Sequence, residues 1–450
     1  MNSYITVIGG GLAGCESAVA AAKLGIDVIL YEMRPKLSTP VHHTDLLAEL
    51  VCSNSFKSMK KSTATGLLKE EMLRLNSLIL RCAHNCTVEA GDALAVDRTL
   101  FAKGITEAVL SHPRIKIVRE EVRELKGLEP VLVATGPLTS DALSRELSLL
   151  FSRIYPRAGT RMTLLSFYDA ISPIVSADSI GYDKTFRASR YRRGEGDYIN
   201  CPLTPEEYRA FVEELKRAEV VQLHPFEKPN YFEGCIPIEE MARRGEDTMR
   251  FGPMKPVGLR DPRTGRRPYA VAQLRAENKE ATMYNMVGFQ TRLKWGEQKR
   301  IFRMIPALAE AEFLRYGQVH RNTFINSPLL LLPTLQLRGR PGIFIAGQLI
   351  GVEGYIESAA SGILAGINAA RLVMGLPLIV PPATTTMGSL IRYVTGANPR
   401  NFQPMNANFG LLPPLEVRIR NRLERNLKLA ERALSDLDRW LEVTGLGKTL

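Results

Sequence analysis

A glycine run near the start of the chain constrains its fold more than any other feature. An apolar stretch, Tyr4-Ile5-Thr6-Val7-Ile8, leads into Gly9-Gly10-Gly11-Leu12-Ala13-Gly14, and a helical stretch follows from Cys15 to Leu24. Gly25-Ile26-Asp27 then turns the chain into Val28-Ile29-Leu30-Tyr31, which ends at Glu32. Strand, GxGxxG, helix, strand and acid in this order predict a dinucleotide-binding βαβ unit. Gly9 permits the tight turn, Gly11 lets the backbone approach a pyrophosphate, and Gly14 lets the helix lie close on the sheet. Gly10, Leu12 and Ala13 complete the loop. The pyrophosphate is expected at the helix N-terminus, held by free N–H groups and the helix dipole. Glu32 is expected to accept a hydrogen bond from a ribose 2′-OH, which disfavours a 2′-phosphate there.

The loop alone does not separate FAD from NAD, but two later segments favour FAD. Pro130-Val131-Leu132-Val133-Ala134-Thr135-Gly136 reads as a buried strand ending in Ala-Thr-Gly. It resembles the motif by which two-dinucleotide-fold flavoproteins return to the FAD sheet, which marks Thr135 and Gly136 as cofactor-binding. A second apolar strand, Gly342 to Gln348, runs into Gly351-Val352-Glu353-Gly354-Tyr355 and a small-residue helix, Glu357 to Ala370. In such flavoproteins this strand and helix N-terminus meet the ribityl chain and flavin ring, which adds Gly347, Gln348, Glu353, Gly354 and Tyr355. Those flavoproteins usually carry an acid where this chain has Gln348. Ala and Gly crowding over Ala359-Ala360-Ser361-Gly362 is expected to bring the helix close to the cofactor. The predicted class is α/β, a Rossmann-like FAD-binding domain of the two-dinucleotide-fold flavoprotein type with an inserted α+β domain. The FAD-binding domain takes residues 1–150 and 325–450, the latter with a C-terminal helix, and the insertion takes 151–324. No second GxGxxG occurs, so no nicotinamide site is placed.

The 450 residues contain 59 Lys and Arg against 47 Asp and Glu, a formal charge of +12. A surplus of this size suits a polyanionic partner, because cations that neutralise phosphates release counterions. No apolar run reaches the ~18 residues of a membrane span, and the chain enters a strand at once, so a soluble, cytoplasmic protein is expected. Six scattered cysteines do not make a disulfide framework. Cys82 and Cys86 flank His84, but no second ligand pair follows at zinc spacing, and no metal is predicted. Cys52 and Cys235 each border a polar loop, and spacing alone leaves open whether either is a nucleophile or a small buried residue.

Basic residues gather in segments. Lys184, Arg187, Arg190, Arg192 and Arg193 alternate with Tyr182 and Tyr191, and a second group runs from Arg243 to Arg267. A third joins Arg292, Lys294, Lys299 and Arg300 to Trp295. Arginine interleaved with aromatics suits RNA, through phosphate pairing and base stacking. Arg187, Arg190, Arg192, Arg193, Lys294, Trp295, Lys299 and Arg300 are therefore weak RNA-binding candidates. Arg418, Arg422, Arg425 and Arg432 recur at helical spacing among acids, which reads as a solvated amphipathic helix.

Longer strings carry a wider resemblance. They include His42-His43-Thr44-Asp45, Leu50-Val51-Cys52-Ser53-Asn54-Ser55, Ala93-Leu94-Ala95-Val96-Asp97-Arg98, Phe232-Glu233-Gly234-Cys235-Ile236-Pro237 and Leu293-Lys294-Trp295-Gly296-Glu297-Gln298-Lys299-Arg300. Over nearly its whole length the chain resembles the folate- and FAD-dependent tRNA (uracil-5-)-methyltransferases, TrmFO. The resemblance implies transfer of a one-carbon unit from 5,10-methylenetetrahydrofolate to C5 of the T-loop uridine of tRNA. It implies FAD as cofactor, NADH or NADPH as reductant, and no obligatory protein partner or membrane. It also implies catalytic roles for three residues: Cys235 as the nucleophile that adds to uracil C6, Cys52 as the second essential cysteine, and Tyr355 near the flavin ring. The same chemistry on a 23S ribosomal-RNA uridine is the nearest alternative. An inactive FAD-containing RNA-binding protein is the alternative of another class.

Overall fold

The computed structural model describes residues 3–39, 41–156, 164–170, 172–190, 196–221 and 236–448. Its central sheet has the strand order Gln336–Leu337, Arg340–Ile345, Val131–Val133, Tyr4–Ile8, Asp27–Tyr31, Ile115–Val118. All neighbours pair in parallel except the edge strand Gln336–Leu337. Parallel strands are covered on both faces and so read as nearly continuous apolar runs. Ile5, Val7, Leu30, Val131, Leu132, Val133, Phe344 and Ile345 are accordingly buried. From Tyr4–Ile8 the chain steps to Asp27–Tyr31 on one side, while Val131–Val133 lies on the other. Strand order reverses there, and the crevice at the carboxyl ends of these strands is where open α/β sheets bind ligands.

The sheet's first helix, Leu12–Lys23, packs against a distant one, Tyr355–Val373. Small residues set that contact. A Cβ on Gly362 would stand 2.3 Å from the Ala13 carbonyl oxygen, and one on Gly366 would stand 2.4 Å from that of Ser17. Ser17 Oγ donates to the Gly362 carbonyl at 2.9 Å and locks the crossing. The small-residue stripe thus brings one helix onto another, and Tyr355 and Ser358, at the N-terminal end of Tyr355–Val373, line the crevice.

A two-stranded ribbon, Leu164–Ala170 with Val319–Ile325, frames the middle of the chain. Between its strands lies an antiparallel sheet in the order Phe186–Arg187, Ile199–Leu203, Ala270–Ala276, Met283–Met286, Ile174–Ser176, Phe313–Arg315. This sheet and the helix Pro205–Arg217 share a core of their own, with Tyr208, Phe211, Phe289 and Phe302 fully buried. The central sheet has a separate core that runs from Ile5 to Phe151 and resumes at Phe324. A small sheet of Ser55–Ser58, Ala93–Val96 and Thr87–Val88 stands beside the junction of the two bodies. The helix Arg422–Thr444 lays Leu429, Ala430, Ala433 and Leu434 against Leu67 and Leu412 and leaves Arg422 and Arg425 exposed. Arg432 donates to the Pro413 and Pro414 carbonyls.

Candidate functional site

The glycine loop gives the crevice its shape. Gly9 has φ +106°, and a Cβ there would stand 2.6 Å from the Ala134 carbonyl oxygen. A Cβ on Gly14 would stand 1.8 Å from the Gly9 carbonyl oxygen. At Gly11, in contrast, a Cβ would meet no heavy atom within 4 Å. The loop is thus crowded by protein on one side and clear at the residue that faces the crevice. Gly11 is also the N-cap of Leu12–Lys23 and supplies no side-chain cap, and Gly354 stands in the same relation to Tyr355–Val373. Thr63, Ser77, Asp97, Ser140, Thr204, Thr385 and Asn421 cap their helices with side chains, whereas Pro237, Asp247, Lys294 and Asn326 stand at helix starts without a side-chain cap. Uncapped first-turn amides are donors for an anion, and the helix dipole adds to the attraction.

Around this loop runs a cleft enclosing about 1070 Å³, part of it open to solvent. Ile8 to Ala13, Glu32, Ala134 to Gly136, Gly347, Gln348 and Tyr355 line it, as do Arg34, His42, Glu49 and Val51. Of the site residues expected from the three segments, Gly9 to Ala13, Glu32, Thr135, Gly136, Gly347, Gln348 and Tyr355 meet in one space, whereas Gly14, Glu353 and Gly354 are not part of its lining. This is the shape a dinucleotide needs, and with the clear face of Gly11 the residues fit FAD. Gln348 turns its side-chain amide to Glu353 at 3.2 Å. Glu32 has more partners than its sequence position suggests. One carboxylate oxygen accepts from Gly10 N at 3.0 Å and from Arg34 Nη2, and the other accepts from Arg34 N and Nε. Burial pushes the Glu32 carboxyl up, but the bonds from Arg34 and Gly10 outweigh burial and hold it below its usual range. Burial and the nearby Arg34 lower His42 to about 4, so its ring is neutral near pH 7.

At the inner end of the cleft the chain from Leu50 to Asn54 is gripped from several directions. Tyr355 Oη accepts from Cys52 N at 2.8 Å, while its ring packs on Phe56. Arg98 donates to the Leu50 carbonyl at 2.5 Å and to the Cys52 carbonyl at 2.7 Å. Arg315 donates to the intervening Val51 carbonyl at 2.6 Å. Arg98 is paired with Glu277, whose side chain is almost wholly buried. Asn54 bridges both bodies, donating to the Val96 and Ala276 carbonyls and accepting from Arg275 Nε. Burial works against the Arg98 cation, but Glu277 raises it above its usual range; burial and the neighbouring Arg98 lower Arg315. Hydrogen bonds to charged groups contribute about 1.5–3 kcal/mol each, so this loop is held firmly. Burial pushes the thiols of Cys15 and Cys82 up, Cys86 to about 11 and Cys201 to about 12, which disfavours their thiolates.

Not every candidate joins this site. Cys235, Arg192 and Arg193 lie outside the described residues. Arg190 donates to the Pro253 and Lys255 carbonyls and thereby braces a loop. Arg187 is exposed and reaches Tyr284 Oη at 3.4 Å. Lys294 pairs with Glu219, and Arg300 pairs with Glu214 and Glu297, so acids engage both cations. Lys299 is exposed. Trp295 is 59 % exposed and stacks on Tyr316 at 5.5 Å and 13°. Tyr316 in turn stacks on Phe313, so three rings form a pile with the indole outermost. Among the described residues no three ligand-type side chains gather to hold a metal ion.

Sequence reasoning did not single out Arg98, Glu277, Arg315 or Asn54. Two of the strings above contain Asn54 and Arg98, but nothing in their spacing shows that they share a loop with Cys52.

The family model for glucose inhibited division protein A matches residues 4–377. The protein from Pelotomaculum thermopropionicum called methylenetetrahydrofolate--tRNA-(uracil-5-)-methyltransferase TrmFO is 57% identical over 438 residues, covering 97% of this chain and 98% of its own. Its counterpart of the same name from Geobacter sulfurreducens is 56% identical over 442 residues, covering 98% and 99%. Among solved structures, Aquifex aeolicus GidA in its form I crystal superposes with a TM-score of 0.67 at 17% identity, over 97% of this chain and 76% of that one. That likeness establishes the shared fold. The chain belongs to the glucose inhibited division protein A family and, within it, to the TrmFO group.

Proposed function

We propose that this protein uses 5,10-methylenetetrahydrofolate to methylate C5 of the T-loop uridine of tRNA, as a cytoplasmic enzyme that binds FAD in the cleft. The observation that carries the reading is the Cys52 loop tied to Tyr355 at the end of a dinucleotide cleft. The substrate class follows the names of relatives more than half identical along their full length. No helix among the described residues is long and apolar enough to cross a membrane.

Gly9 to Gly14 would hold the pyrophosphate of FAD, Glu32 and Arg34 would stand at its ribose, and Gly347, Gln348 and Gly354 would border its flavin. When bound there, FAD supplies the two electrons that a transferred methylene needs to become a methyl, with NADH or NADPH as their source. The protein must make uracil C5 nucleophilic. A thiolate that adds to C6 does this by creating an enolate, and Cys235 takes that role. Cys52 receives the C5 proton, and Tyr355 holds the Cys52 backbone in place. Trp295 offers its outer face to a base, since base–aromatic stacking contributes about 1–3 kcal/mol per base.

The test incubates the FAD-loaded protein with methylenetetrahydrofolate, NADH and unmodified tRNA. 5-Methyluridine in the T-loop is the expected product. Its absence, with methylation of 23S ribosomal RNA instead, would move the substrate assignment to ribosomal RNA. Binding of RNA with no methylation of either substrate would make the chain a flavin-containing RNA-binding protein.

A further inference from the structure

Three successive carbonyls of the Cys52 loop are bound by two guanidinium groups. Leu50 and Cys52, two residues apart, share Arg98, and Val51 between them turns to Arg315. The two cations come from different bodies. Arg98 begins the helix Arg98–Leu110, which packs with the central sheet, whereas Arg315 ends a strand of the inserted sheet. Glu277, the anion beside Arg98, directly follows another strand of that inserted sheet. Placing two partly buried cations near each other is unfavourable unless counter-charge and hydrogen bonds compensate. Here one carboxylate and three backbone carbonyls compensate, and the carbonyls belong to the loop that carries Cys52. Packing alone would call for apolar side chains at these positions.

From this geometry we infer that Arg98 and Arg315 are positioning residues for the reaction, and that the inserted body, through Arg315 and Glu277, completes the seat of Cys52. The inference rests on the reading of Cys52 as a reacting group. The two arginines supply different things. Arg315 makes one bond, to Val51 O, and a lysine ammonium can supply one donor to a carbonyl. Arg98 spans two carbonyls and a carboxylate with its planar fork, which a lysine cannot reproduce. Rescue by lysine therefore distinguishes a bond that orients the loop from bulk that merely fills space.

The test uses the FAD-loaded full chain and measures kcat and KM for tRNA methylation, with FAD content and Tm as controls on folding. Arg315→Ala is expected to lower kcat about 10- to 100-fold, the scale on which ~1 Å misplacement of a reacting group acts. KM for tRNA is expected to stay within about twofold, because the arginine touches the loop rather than the RNA. Arg315→Lys should recover most of the loss, and Arg98→Lys should recover little relative to Arg98→Ala. If Arg315→Ala keeps kcat within about twofold of the parent, or if Arg315→Lys is as impaired as Arg315→Ala, the assignment is overturned. Should the Arg98 variants not fold, Glu277→Gln removes the anion that orients Arg98 and leaves the carbonyl contacts possible. An unchanged kcat there would likewise overturn the role of the pair. A parent protein with no methylation activity on any RNA would instead refute the functional reading itself, so the two failures are distinguishable.

Discussion

Tyr355 Oη accepts a hydrogen bond from Cys52 N at 2.8 Å, across 303 residues of chain. The tyrosine opens the helix Tyr355–Val373 and lines the cleft, and the cysteine directly follows Val51, which lines it too. This bond therefore connects that helix to the loop proposed to react. Tyr355→Phe keeps the ring against Phe56 and removes the hydroxyl that accepts from Cys52 N. Losing one such bond is worth about 1.4 kcal/mol, or tenfold in rate. The expected result is a kcat about tenfold lower, with FAD content unchanged in the absorbance spectrum.

Gly11 and Gly14 are three residues apart and predict opposite outcomes. Gly11 has φ −78°, which alanine adopts freely, and its Cβ would meet no protein atom. Gly11→Ala should leave the stability of the FAD-free protein within about 0.5 kcal/mol, or slightly raised, while FAD binding weakens at least about tenfold as the methyl enters the pyrophosphate position. Gly14→Ala forces a Cβ to 1.8 Å from Gly9 O and should destabilise the protein by about 3 kcal/mol. Thermal melts and FAD titration of the two variants separate these effects.

The helix crossing at Gly366 makes a further prediction. Alanine there would push into the Ser17 carbonyl oxygen at 2.4 Å, and the obstacle is backbone, which cannot rotate away. A loss of about 2–3 kcal/mol is expected in urea unfolding. Since the crossing holds the first helix beside the second, FAD occupancy at subsaturating cofactor should fall with it.

Glu71 links stability to pH. It is buried and accepts from Thr386 N and Met387 N, so it caps the helix Thr386–Gly396 from another part of the chain. Burial pushes its carboxyl up to about 7, from an ordinary 4.5. Between these values the folded state binds the proton that the unfolded chain has released. Its contribution is therefore largest below the unfolded pKa, declines as pH rises, and is fully lost above the folded value. A shift of this size corresponds to about 3 kcal/mol. Glu71→Gln should flatten the slope: between about pH 5 and pH 8 the parent should lose about 2–3 kcal/mol more than the variant. Urea unfolding at the two pH values checks it.

Legibility in the sequence tracked distance along the chain. The Gly9–Gly14 loop, its strand and its helix were readable because each requirement is local: a positive φ at Gly9, a missing Cβ at Gly11, free amides in the first turn. The Ala-Thr-Gly turn at Thr135 and Gly136 and the Gly347 turn were readable for the same reason, and the structure brings all three into one cleft. The basic segments were readable only as a count of cations. Lys294 pairs with Glu219, Arg300 pairs with Glu214 and Glu297, and Arg190 donates to carbonyls, none of which composition shows.

The sequence by itself determined that this chain would build a dinucleotide-binding βαβ unit and that Cys52 would stand where an apolar run gives way to a polar one. Short-range sterics and hydrogen bonding dictate such features, so neighbouring residues suffice to encode them. Only the tertiary structure decided what holds Cys52. Arg98 and Tyr355 bind its own backbone, Arg315 binds the Val51 carbonyl beside it, Glu277 pairs with Arg98, and these residues come from both bodies of the fold. A backbone carbonyl carries no trace in the sequence of which guanidinium it will meet, because that choice depends on how two separately packed cores dock.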